Sequence, residues 1–481
     1  MKLNRKELGL TNTLPVKIVQ FGEGNFLRAF VDYAFQKLND QTGFNGGIAV
    51  VQPIDKGMVK MLNDQGGLYT LFLKGVKEGE VVQQKCLISN IVKGIDPYDN
   101  FQEYLNLAKE KELEFVISNT TEAGIAYDIN DKPEMKPPNS FPAKLTLLLY
   151  ERFKYFQGDT SKGLIILPCE LINYNADTLK NMILQYIEEW GLGDKFKLWL
   201  EQANSFHNTL VDRIVPGYPK DNIEEYNAEL LYKDNLLVTA ETFFLWVIEG
   251  DESFKKKLPF DKTGLNVKVV KNMQPYRTRK VRILNGAHTA MVPFSILYGN
   301  ETVKQTIDNN FTGNFIRQVV FSEIIETLDM DKAELISFAE EVFDRFRNPF
   351  IKHMLSSIAL NSVSKFKVRV LPSLLSYVEN NKKLPIYLTF AFACLIKFYK
   401  GSWKGEKLPV NDSTEVVNVF EDIWKLENIN KIAEVVLAQT EFWGQDLNHI
   451  PKLTNAISVA LLEIENNGIE KAFLNYREEF K

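Results

Sequence analysis

Four short apolar segments alternate with helical patterns in the first half of the chain, and this alternation restricts the fold more than any other feature. Between the first two segments, apolar residues from Phe26 to Leu38 recur at helical spacing. Strands that are apolar along their whole length are typical of parallel sheets covered on both faces. The pattern therefore predicts a βαβ unit. The segments are KIVQF (17–21), GIAVVQ (47–52), EFVISN (114–119) and GLIILP (163–168).

Two further patterns complete the expected architecture. Residues 67–82 alternate in polarity around a glycine-containing turn, which favours an antiparallel pair of strands. We therefore expect the sheet to be mixed. Beyond about residue 270, strand-like runs nearly vanish and long segments carry helical periodicity. A chain of 481 residues is too long for one ordinary core. We therefore expect an α/β domain over residues 1–268 and a mainly α-helical domain over residues 269–481.

Composition argues against several classes of function. The formal net charge of −5 provides no global positive field for nucleic acid or an anionic membrane. The three cysteines form no CxxC motif, which favours a reducing compartment over a disulfide framework. The start of the chain has no apolar core of signal-peptide length, and the longest apolar run is far short of the roughly 20 residues that span a bilayer. We expect a cytoplasmic protein that binds neither nucleic acid nor membrane.

A glycine-containing turn follows the first predicted strand directly. In a dinucleotide-binding turn, a glycine such as Gly22 permits the tight bend, and one such as Gly24 lets the backbone approach the pyrophosphate at the helix N-terminus. Leu27 replaces the third glycine of that motif, and Arg28 lies either beside the phosphates or on a solvated helix face. The turn predicts a Rossmann-type domain. The predicted cofactor-binding residues here are Gly22, Glu23, Gly24, Asn25, Phe26, Leu27 and Arg28.

The ends of two other predicted strands also bear on the cofactor. Gln52 stands where NAD enzymes often place an acidic residue for the ribose 2′-hydroxyl, and Asp55 follows only after a proline. No arginine follows that strand to receive a 2′-phosphate, so NAD is the expected cofactor, although this strand end alone leaves NADP open. At the end of the third strand, Asn119, Thr120 and Glu122 are candidate neighbours of the nicotinamide. A plain exit from the strand into a turn is the alternative.

A lysine, an asparagine and a histidine occur together in PYRTRKVRILNGAHTAMV (275–292). In an α-helix, at about 100° per residue, Asn285 lies about 140° and His288 about 80° from Lys280, on one broad face. Hydride transfer to a carbonyl requires a proton donor and hydrogen-bond donors, or a metal. The four histidines form no ligand cluster in the sequence, so we expect no catalytic metal and predict Lys280 as the acid. An exposed polar helix face is the alternative.

A second polar cluster follows the fourth predicted strand. Glu170, Asn173 and Asn175 stand where that strand ends and a helix begins. We predict that Asn175 assists Asn285 at the reacting oxygen. A turn or helix-cap role is the alternative for Asn175.

Together these motifs resemble the polyol-specific long-chain dehydrogenase/reductases, the mannitol dehydrogenase family. The resemblance extends from about residue 16 to beyond residue 370 in the family's motif order. It implies a metal-independent NAD enzyme with a Rossmann-type domain, a helical domain and a site between them. The segments that carry it are GEGNFLRAF (22–30), SNTTEAG (118–124), LPCELINYNADTL (167–179), NTLVDRIVPGYP (208–219) and KVRILNGAH (280–288).

The resemblance also implies roles for individual residues. The family motif K-x4-N-x2-H places the general acid/base on Lys280, with Asn285 and His288 at the matching positions. The family segment CDNxxxNG places a second oxyanion-pocket asparagine on Asn175. This chain reads CELINYNA there, so Glu170 and two other positions depart from the pattern.

Departures near the lysine bear on the substrate. Members of the mannitol branch have a glutamate three residues before the catalytic lysine, whereas this chain has Arg277. RFRNPFI (345–351) is followed by NSVSK, in which Lys365 matches a lysine of the family. An added cation suits a substrate that is itself negatively charged, such as a uronate, and a solvated basic turn is the alternative. We predict substrate binding by Lys365 and Arg277, with Arg213.

The first turn is most similar to the branch of the family that reduces tagaturonate, because Phe30 stands where other branches have a histidine. We therefore expect NAD-dependent interconversion of D-tagaturonate and D-altronate by a monomer or small homo-oligomer. Reduction of fructuronate, or a mannitol-type polyol dehydrogenase reaction, is the alternative within the family. A non-catalytic regulatory protein that binds NADH is the alternative outside it.

Overall fold

The computed structural model describes residues 3–10, 14–121 and 123–480. Its internal contacts divide the chain into two compact units. Unit 1 comprises Met1–Lys74 and Val82–Met273, and unit 2 comprises Gly75–Val81 and Gln274–Lys481. Unit 1 is α/β and unit 2 is mainly helical, which confirms the predicted fold class. The boundary after residue 268 stays a prediction.

The strands that precede residue 273 form three sheets. Short 3-10 turns join several of the surrounding elements. Numbered along the chain, the strands are β1 Val16–Phe21, β2 Gly47–Val51, β3 Tyr69–Lys77, β4 Glu80–Ile88, β5 Ile91–Ile95, β6 Phe115–Ser118, β7 Ile165–Pro168, β8 Ser205–Phe206, β9 Thr209–Asp212, β10 Val238–Ala240, β11 Leu245–Glu249 and β12 Val267–Val270. The helices are α1 Asn25–Thr42, α2 Val59–Asp64, α3 Phe101–Asn106, α4 Phe141–Tyr155, α5 Asn175–Glu189, α6 Asp194–Ala203, α7 Ile223–Ala228 and α8 Glu252–Lys257.

The main sheet of unit 1 runs in the order β5-β2-β1-β6-β7-β8, and its strands pair in parallel. Both of its faces are buried. Ile18 packs into an apolar core with α1, whereas the next residue, Val19, packs into a second core with α4 and α5. Because successive side chains of a strand point to opposite faces, two buried faces account for the continuous apolar runs.

The four predicted strands are confirmed as β1, β2, β6 and β7, and the predicted first helix is confirmed as α1. β2 pairs with one edge of β1, and β6, which comes later in the chain, pairs with the other edge. The strand order therefore reverses beside β1. In open α/β sheets, ligands bind at the carboxyl ends of the strands at such a switch point.

The prediction of a mixed main sheet is corrected. The alternating segment 67–82 does form a hairpin of β3 and β4, but that hairpin belongs to a separate sheet of order β10-β3-β4. Mixed pairing occurs instead in the small sheet β12-β11-β9, where β11 pairs parallel with β12 and antiparallel with β9. The strand β5 was not predicted, because it follows β4 after only two residues and its sequence, IVKGI, is short.

Unit 2 is built around α17 Ile386–Phe398, a helix that is apolar and buried on nearly all sides. Such a helix belongs in the centre of a helical domain. It packs against α10 Gly286–Tyr298 and α21 Leu453–Phe480. The second of these helices is interrupted at Gly468, which has φ 72°. Within the described ranges, no helix combines the length and the hydropathy needed to cross a bilayer.

The elements of unit 2 include two π-helical turns, Lys280–Asn285 and Val319–Ile324, and the short strands β13 Ser402–Trp403 and β14 Glu406–Lys407. Its α-helices are α9 Gln274–Arg279, α10 Gly286–Tyr298, α11 Val303–Asp308, α12 Asn310–Gln318, α13 Lys332–Phe346, α14 Leu355–Ile358, α15 Ser362–Arg369, α16 Leu371–Asn381, α17 Ile386–Phe398, α18 Thr414–Trp424, α19 Ile429–Leu437, α20 Thr440–Trp443 and α21 Leu453–Phe480.

Candidate active site

The turn between β1 and α1 has the geometry of a dinucleotide-binding turn. Gly22 has φ 119°, and a Cβ there would lie 3.0 Å from the Asn119 carbonyl oxygen, so only glycine fits. Gly24 precedes α1 without a side-chain cap, and a Cβ there would meet nothing within 4 Å. A side chain at Gly24 would therefore project into open space. Leu27 is buried in the core of unit 1, so it can meet a ligand only through its backbone, whereas Phe26 packs against that core and is partly exposed.

Arg28 does not lie on a solvated helix face, and its place beside the phosphates stays a prediction. It is 2% exposed, and its guanidinium donates to the Glu23 carbonyl at 3.1 Å and to Asn25 Oδ1 at 2.6 Å. It also donates to the Leu236 carbonyl and lies over the Tyr69 ring. Arg28 therefore fixes the shape of the glycine turn from within unit 1.

Glu23 holds the loop that follows β2. It is 7% exposed, and its Oε1 accepts a hydrogen bond from the Met58 amide at 3.3 Å. Burial raises the pKa of this carboxyl group. A Cβ at Gly57 would lie 2.2 Å from Glu23 Oε1, so the loop needs a glycine there to pass so close.

An acidic residue stands beside the end of β2, but it comes from the neighbouring strand. Gln52 is 3% exposed, and its Nε2 donates to Asp96 Oδ2 at 3.1 Å and to the Ile54 carbonyl at 3.0 Å. Asp96 follows β5 directly. This pair could not be predicted from the sequence, because β5 was not predicted.

The predicted nicotinamide-side residues lie at the end of β6, on the other side of the switch point. Asn119 donates from Nδ2 to the Cys169 carbonyl at 2.8 Å. The amide and hydroxyl of Thr120 donate to Glu170 Oε1 at 2.9 Å and 3.0 Å. Glu170 is buried, which raises its pKa, and it fixes this strand end. Glu122 lies outside the described residues.

The role of Asn175 as a donor to a substrate oxygen stays a prediction, and its side chain bonds to main-chain groups. Asn175 is fully buried at the start of α5, and its Oδ1 accepts from the amides of Thr209 and Ala176, both at 3.0 Å. Both hydrogens of its amide nitrogen are therefore already directed to main-chain acceptors, and the side chain joins β7 to β9. The acceptors are the carbonyls of Pro168 at 2.9 Å, Glu170 at 3.1 Å and Thr209 at 3.1 Å.

Substrate binding by Arg213 likewise stays a prediction, and its guanidinium bonds within unit 1. Its side chain is 6% exposed and donates to the carbonyls of Glu241 at 3.0 Å and Ala29 at 2.7 Å. The guanidinium lies over the rings of Tyr33 and Phe244. Arg213 therefore ties α1 to the strands behind it.

In unit 2, Lys280 and Asn285 are the first and last residues of a π-helical turn. Hydrogen bonds from i to i+5 widen such a turn to about 80° per residue, so Asn285 lies roughly 40° from Lys280. His288 follows in the first turn of α10, and three α-helical steps of about 100° bring it within roughly 20° of Lys280. The π-turn thus replaces the broad face expected for an α-helix by one narrow stripe. All three side chains are partly buried.

The imidazole of His288 packs against two rings from another segment. Its centroid lies 4.5 Å from that of Phe346, at the end of α13, and 5.1 Å from that of His353. The two imidazole planes cross at 82°. Burial, followed by the positive charge of Arg345, lowers the pKa of His353. The contact between these two histidines could not be predicted from the sequence.

The arginines beside Lys280 differ in their surroundings. Arg279 is 3% exposed, pairs with Glu334 at 3.0 Å and lies over the Phe338 ring, so it anchors α9 to α13. Arg277 is partly exposed on the same helix. Of the two, Arg277 is the one that can reach a ligand.

Lys365 lies on α15, which packs against α10 and the π-turn. It is partly buried, and its Nζ donates to the Ile358 carbonyl at 2.9 Å. Burial and the neighbouring charge of Arg369 lower its pKa. Lys365 is thus a second cation on the elements that surround the π-turn. Over the ranges that the structure describes, no group of three or more His, Cys, Asp and Glu side chains is placed to hold a metal ion.

Comparison with family models covers most of the chain. Residues 16–262 match the mannitol dehydrogenase Rossmann domain, and residues 272–465 match the mannitol dehydrogenase C-terminal domain. The altronate oxidoreductase of Bacillus subtilis strain 168 is 46% identical over 477 residues, which are 99% of this chain and 98% of that protein. The altronate oxidoreductase of Yersinia enterocolitica is 46% identical over 481 residues, 98% of this chain and 99% of that protein.

Solved structures share the fold. Substrate-free D-sorbitol dehydrogenase superimposes with a TM-score of 0.80 at 20% identity, covering 98% of this chain and all of that one. Mannitol 2-dehydrogenase of Pseudomonas fluorescens, in a ternary complex with NAD and D-mannitol, superimposes with a TM-score of 0.67 at 19% identity and covers both chains fully.

Proposed function

The chain belongs to the mannitol dehydrogenase family, and we propose that it interconverts D-tagaturonate and D-altronate with NAD(H). It is an oxidoreductase acting on a CH–OH group, as are the altronate oxidoreductases to which it is similar over nearly their full length. The observation that supports this chemistry is the π-helical turn Lys280–Asn285, because ideal helix geometry would bring Lys280, Asn285 and His288 onto one stripe. A proton donor and two hydrogen-bonding groups on one stripe suit the reduction of a carbonyl.

In the reducing direction, bound NADH supplies the hydride to the ketone carbon. The ammonium of Lys280 gives its proton to the carbonyl oxygen, which becomes the new hydroxyl. The Asn285 amide donates a hydrogen bond to the same oxygen while its negative charge develops, and His288 holds that oxygen or a neighbouring hydroxyl. In the oxidising direction, neutral Lys280 takes the hydroxyl proton. Asn175 makes no direct contact in this scheme, because its amide is already committed.

The glycine turn fits a dinucleotide phosphate group. Gly22 permits the bend, and the uncapped start of α1 at Gly24 offers N–H groups and the positive end of a helix dipole to an anion. At the ends of the neighbouring strands, Glu23, Asp96 and the Gln52 amide would favour a ribose hydroxyl over a 2′-phosphate, because the carboxylates repel a second anion. These contacts support NAD rather than NADP as the cofactor.

The substrate we propose is a sugar acid. Arg277 stands where relatives of the mannitol branch have a glutamate, and Lys365 lies on a helix that packs against the π-turn. A guanidinium and an ammonium on the elements around the acid are suited to a carboxylate. A neutral polyol would leave these cations without an anionic partner.

The test is NADH consumption by the purified protein with tagaturonate, fructuronate, fructose and fructose phosphates, repeated with NADPH. We expect turnover to be fastest with tagaturonate and NADH. A Lys280→Ala variant should lose about 10²–10⁴-fold in kcat and bind NADH as tightly as the parent. Binding of NADH without turnover on any substrate would favour a sensor instead. A preference for fructuronate or fructose would move the protein to another branch of the family.

A further inference from the structure

His353 belongs to a segment whose backbone is held in place. Its amide donates to the Ile351 carbonyl at 3.0 Å, and its own carbonyl accepts from the Val303 amide at 3.0 Å. The next residue, Met354, forms an isolated antiparallel bridge with Thr302. These bonds attach the segment to the start of α11, so they fix the backbone that carries the His353 side chain.

The second ring against His288 is fixed as well. Phe346 ends α13, is 4% exposed and packs on Phe343 with centroids 5.9 Å apart. His288 therefore contacts one ring from the apolar core and one from the anchored segment.

The orientation of a histidine ring needs such contacts. The helix restricts χ1 of His288, but χ2 of histidine is broad, so the backbone alone does not determine which ring nitrogen faces a ligand. Two fixed neighbouring rings, one crossing at 82°, remove this freedom. Aromatic pairs favour edge-to-face contacts of this kind.

We propose that His353 is a positioning residue, which holds the His288 imidazole in the orientation that the substrate oxygen or hydroxyl requires. The inference rests on the proposed function in so far as His288 contacts the substrate. Burial and the charge of Arg345 lower the pKa of His353, which disfavours a positive charge beside His288. A displacement of a reacting group by about 1 Å can cost about 10²-fold in rate.

The kinetic test compares substitutions that remove or keep the ring. His353→Ala should lower kcat on the substrate that the parent turns over best by about 10–100-fold, with little change in the KM for NADH. His353→Phe keeps a ring of similar size and should restore kcat to within about threefold. His353→Leu fills the volume without a planar ring and replaces the alanine variant if that variant fails to fold. His449→Ala is the matched control, because the His449 side chain is 87% exposed in the same unit.

A second measurement does not depend on turnover. The chain has four histidines, so the ring C–H resonances of protein labelled with ¹³C-histidine can be assigned by substitution. Removing the His353 ring should shift the His288 resonance, and His449→Ala should leave it in place.

The proposal is overturned if His353→Ala keeps kcat within about twofold, if His353→Phe is as impaired as His353→Ala, or if the His288 resonance does not move. If the parent protein turns over no substrate, the proposed function fails, while the resonance still tests whether His353 holds the ring.

Discussion

Asn175 shows how one side chain can be suited to two roles. A lone amide after a strand suggests either a donor to a substrate oxygen or a structural connection. Here the amide bridges main-chain groups of β7 and β9, and it has no hydrogen left to donate. The geometry therefore favours the structural role.

Replacement of Asn175 distinguishes these roles. Asn175→Ala removes the side-chain bonds to the carbonyls of Pro168 and Glu170 and to the main chain of Thr209, and should reduce the free energy of unfolding by roughly 2–5 kcal/mol. Urea unfolding followed by fluorescence measures this change. Asn173→Ala, two residues earlier at an exposed position, is the control. Unchanged stability with a large loss of kcat would restore the donor role.

Asp32 is a buried carboxyl group on α1, beneath the glycine turn. It is 0% exposed and accepts from the Tyr69 hydroxyl at 2.8 Å. Burial raises its pKa from 3.8 to about 7. Between these two values the folded protein binds more protons than the unfolded chain, so this group lowers stability as the pH rises through that window. Above about pH 7 the cost is constant.

We expect Asp32→Asn to remove this dependence. Asparagine keeps an acceptor for the Tyr69 hydroxyl and does not ionise. The free energy of unfolding of the variant minus that of the parent should increase by about 1–3 kcal/mol when the pH is raised from 5 to 8. Chemical unfolding at both pH values measures the difference, with Asp40→Asn, an exposed position on the same helix, as the control. If the variant and the parent differ in unfolding free energy by the same amount at both pH values, Asp32 does not titrate in this range.

At the scale of elements, the two glycines of the first turn have separable tasks. Gly22 has φ 119°, and a Cβ there would lie 3.0 Å from the Asn119 carbonyl oxygen, whereas Gly24 has φ −66° and a Cβ there would meet nothing within 4 Å. Gly22 is therefore needed for the fold, whereas Gly24 is needed to leave room for a ligand at the start of the helix.

Single alanine substitutions should separate these tasks. Gly22→Ala forces a Cβ against backbone and should lower the midpoint of thermal unfolding by several degrees, with a loss of roughly 1–3 kcal/mol. Gly24→Ala should leave that midpoint within about 1–2 °C and weaken NADH binding about tenfold or more, because the methyl group occupies the approach to the helix. Calorimetry and titration of NADH fluorescence measure the two effects. Tight NADH binding by Gly24→Ala would place the pyrophosphate elsewhere.

The elements that the sequence could predict are those determined locally. The strands β1, β2, β6 and β7 were visible because burial on both faces requires an unbroken apolar run. The π-turn at Lys280–Asn285 was not visible, because KVRILN has the composition of an ordinary helix and only the packing of α13 and α15 against it distinguishes the turn. The contact of His353 with His288 depends on the same packing.

At the scale of the whole chain, domain order and family could be predicted because their motifs are linear. The surroundings of individual side chains could not, since Arg28 in α1, Arg213 after β9 and Asn175 at the start of α5 are polar in sequence but buried within unit 1. A sequence shows that a polar group is present at a strand end, and the surrounding carbonyls determine whether it is free to bind a ligand.

The charge of the whole chain constrains how an anionic substrate is bound. The formal net charge is −5, so the molecule as a whole repels a sugar acid. Attraction must come from local cations, and Arg277 and Lys365 are those that we propose. Fields of this kind are screened by salt, since the Debye length falls from about 30 Å at 0.01 M to about 3 Å at 1 M.

We therefore expect the KM for the sugar acid to rise several-fold between about 0.02 M and 0.5 M salt, with kcat nearly constant. Arg277→Gln should raise KM at low salt and reduce this dependence, because one of the attracting charges is gone. Lys431→Gln removes an exposed charge from α19 and serves as the control. Initial rates at several ionic strengths measure the slopes. If Arg277→Gln and the parent have the same salt dependence, Arg277 does not attract the carboxylate, and the preference for an acid must arise from Lys365 or from another cation.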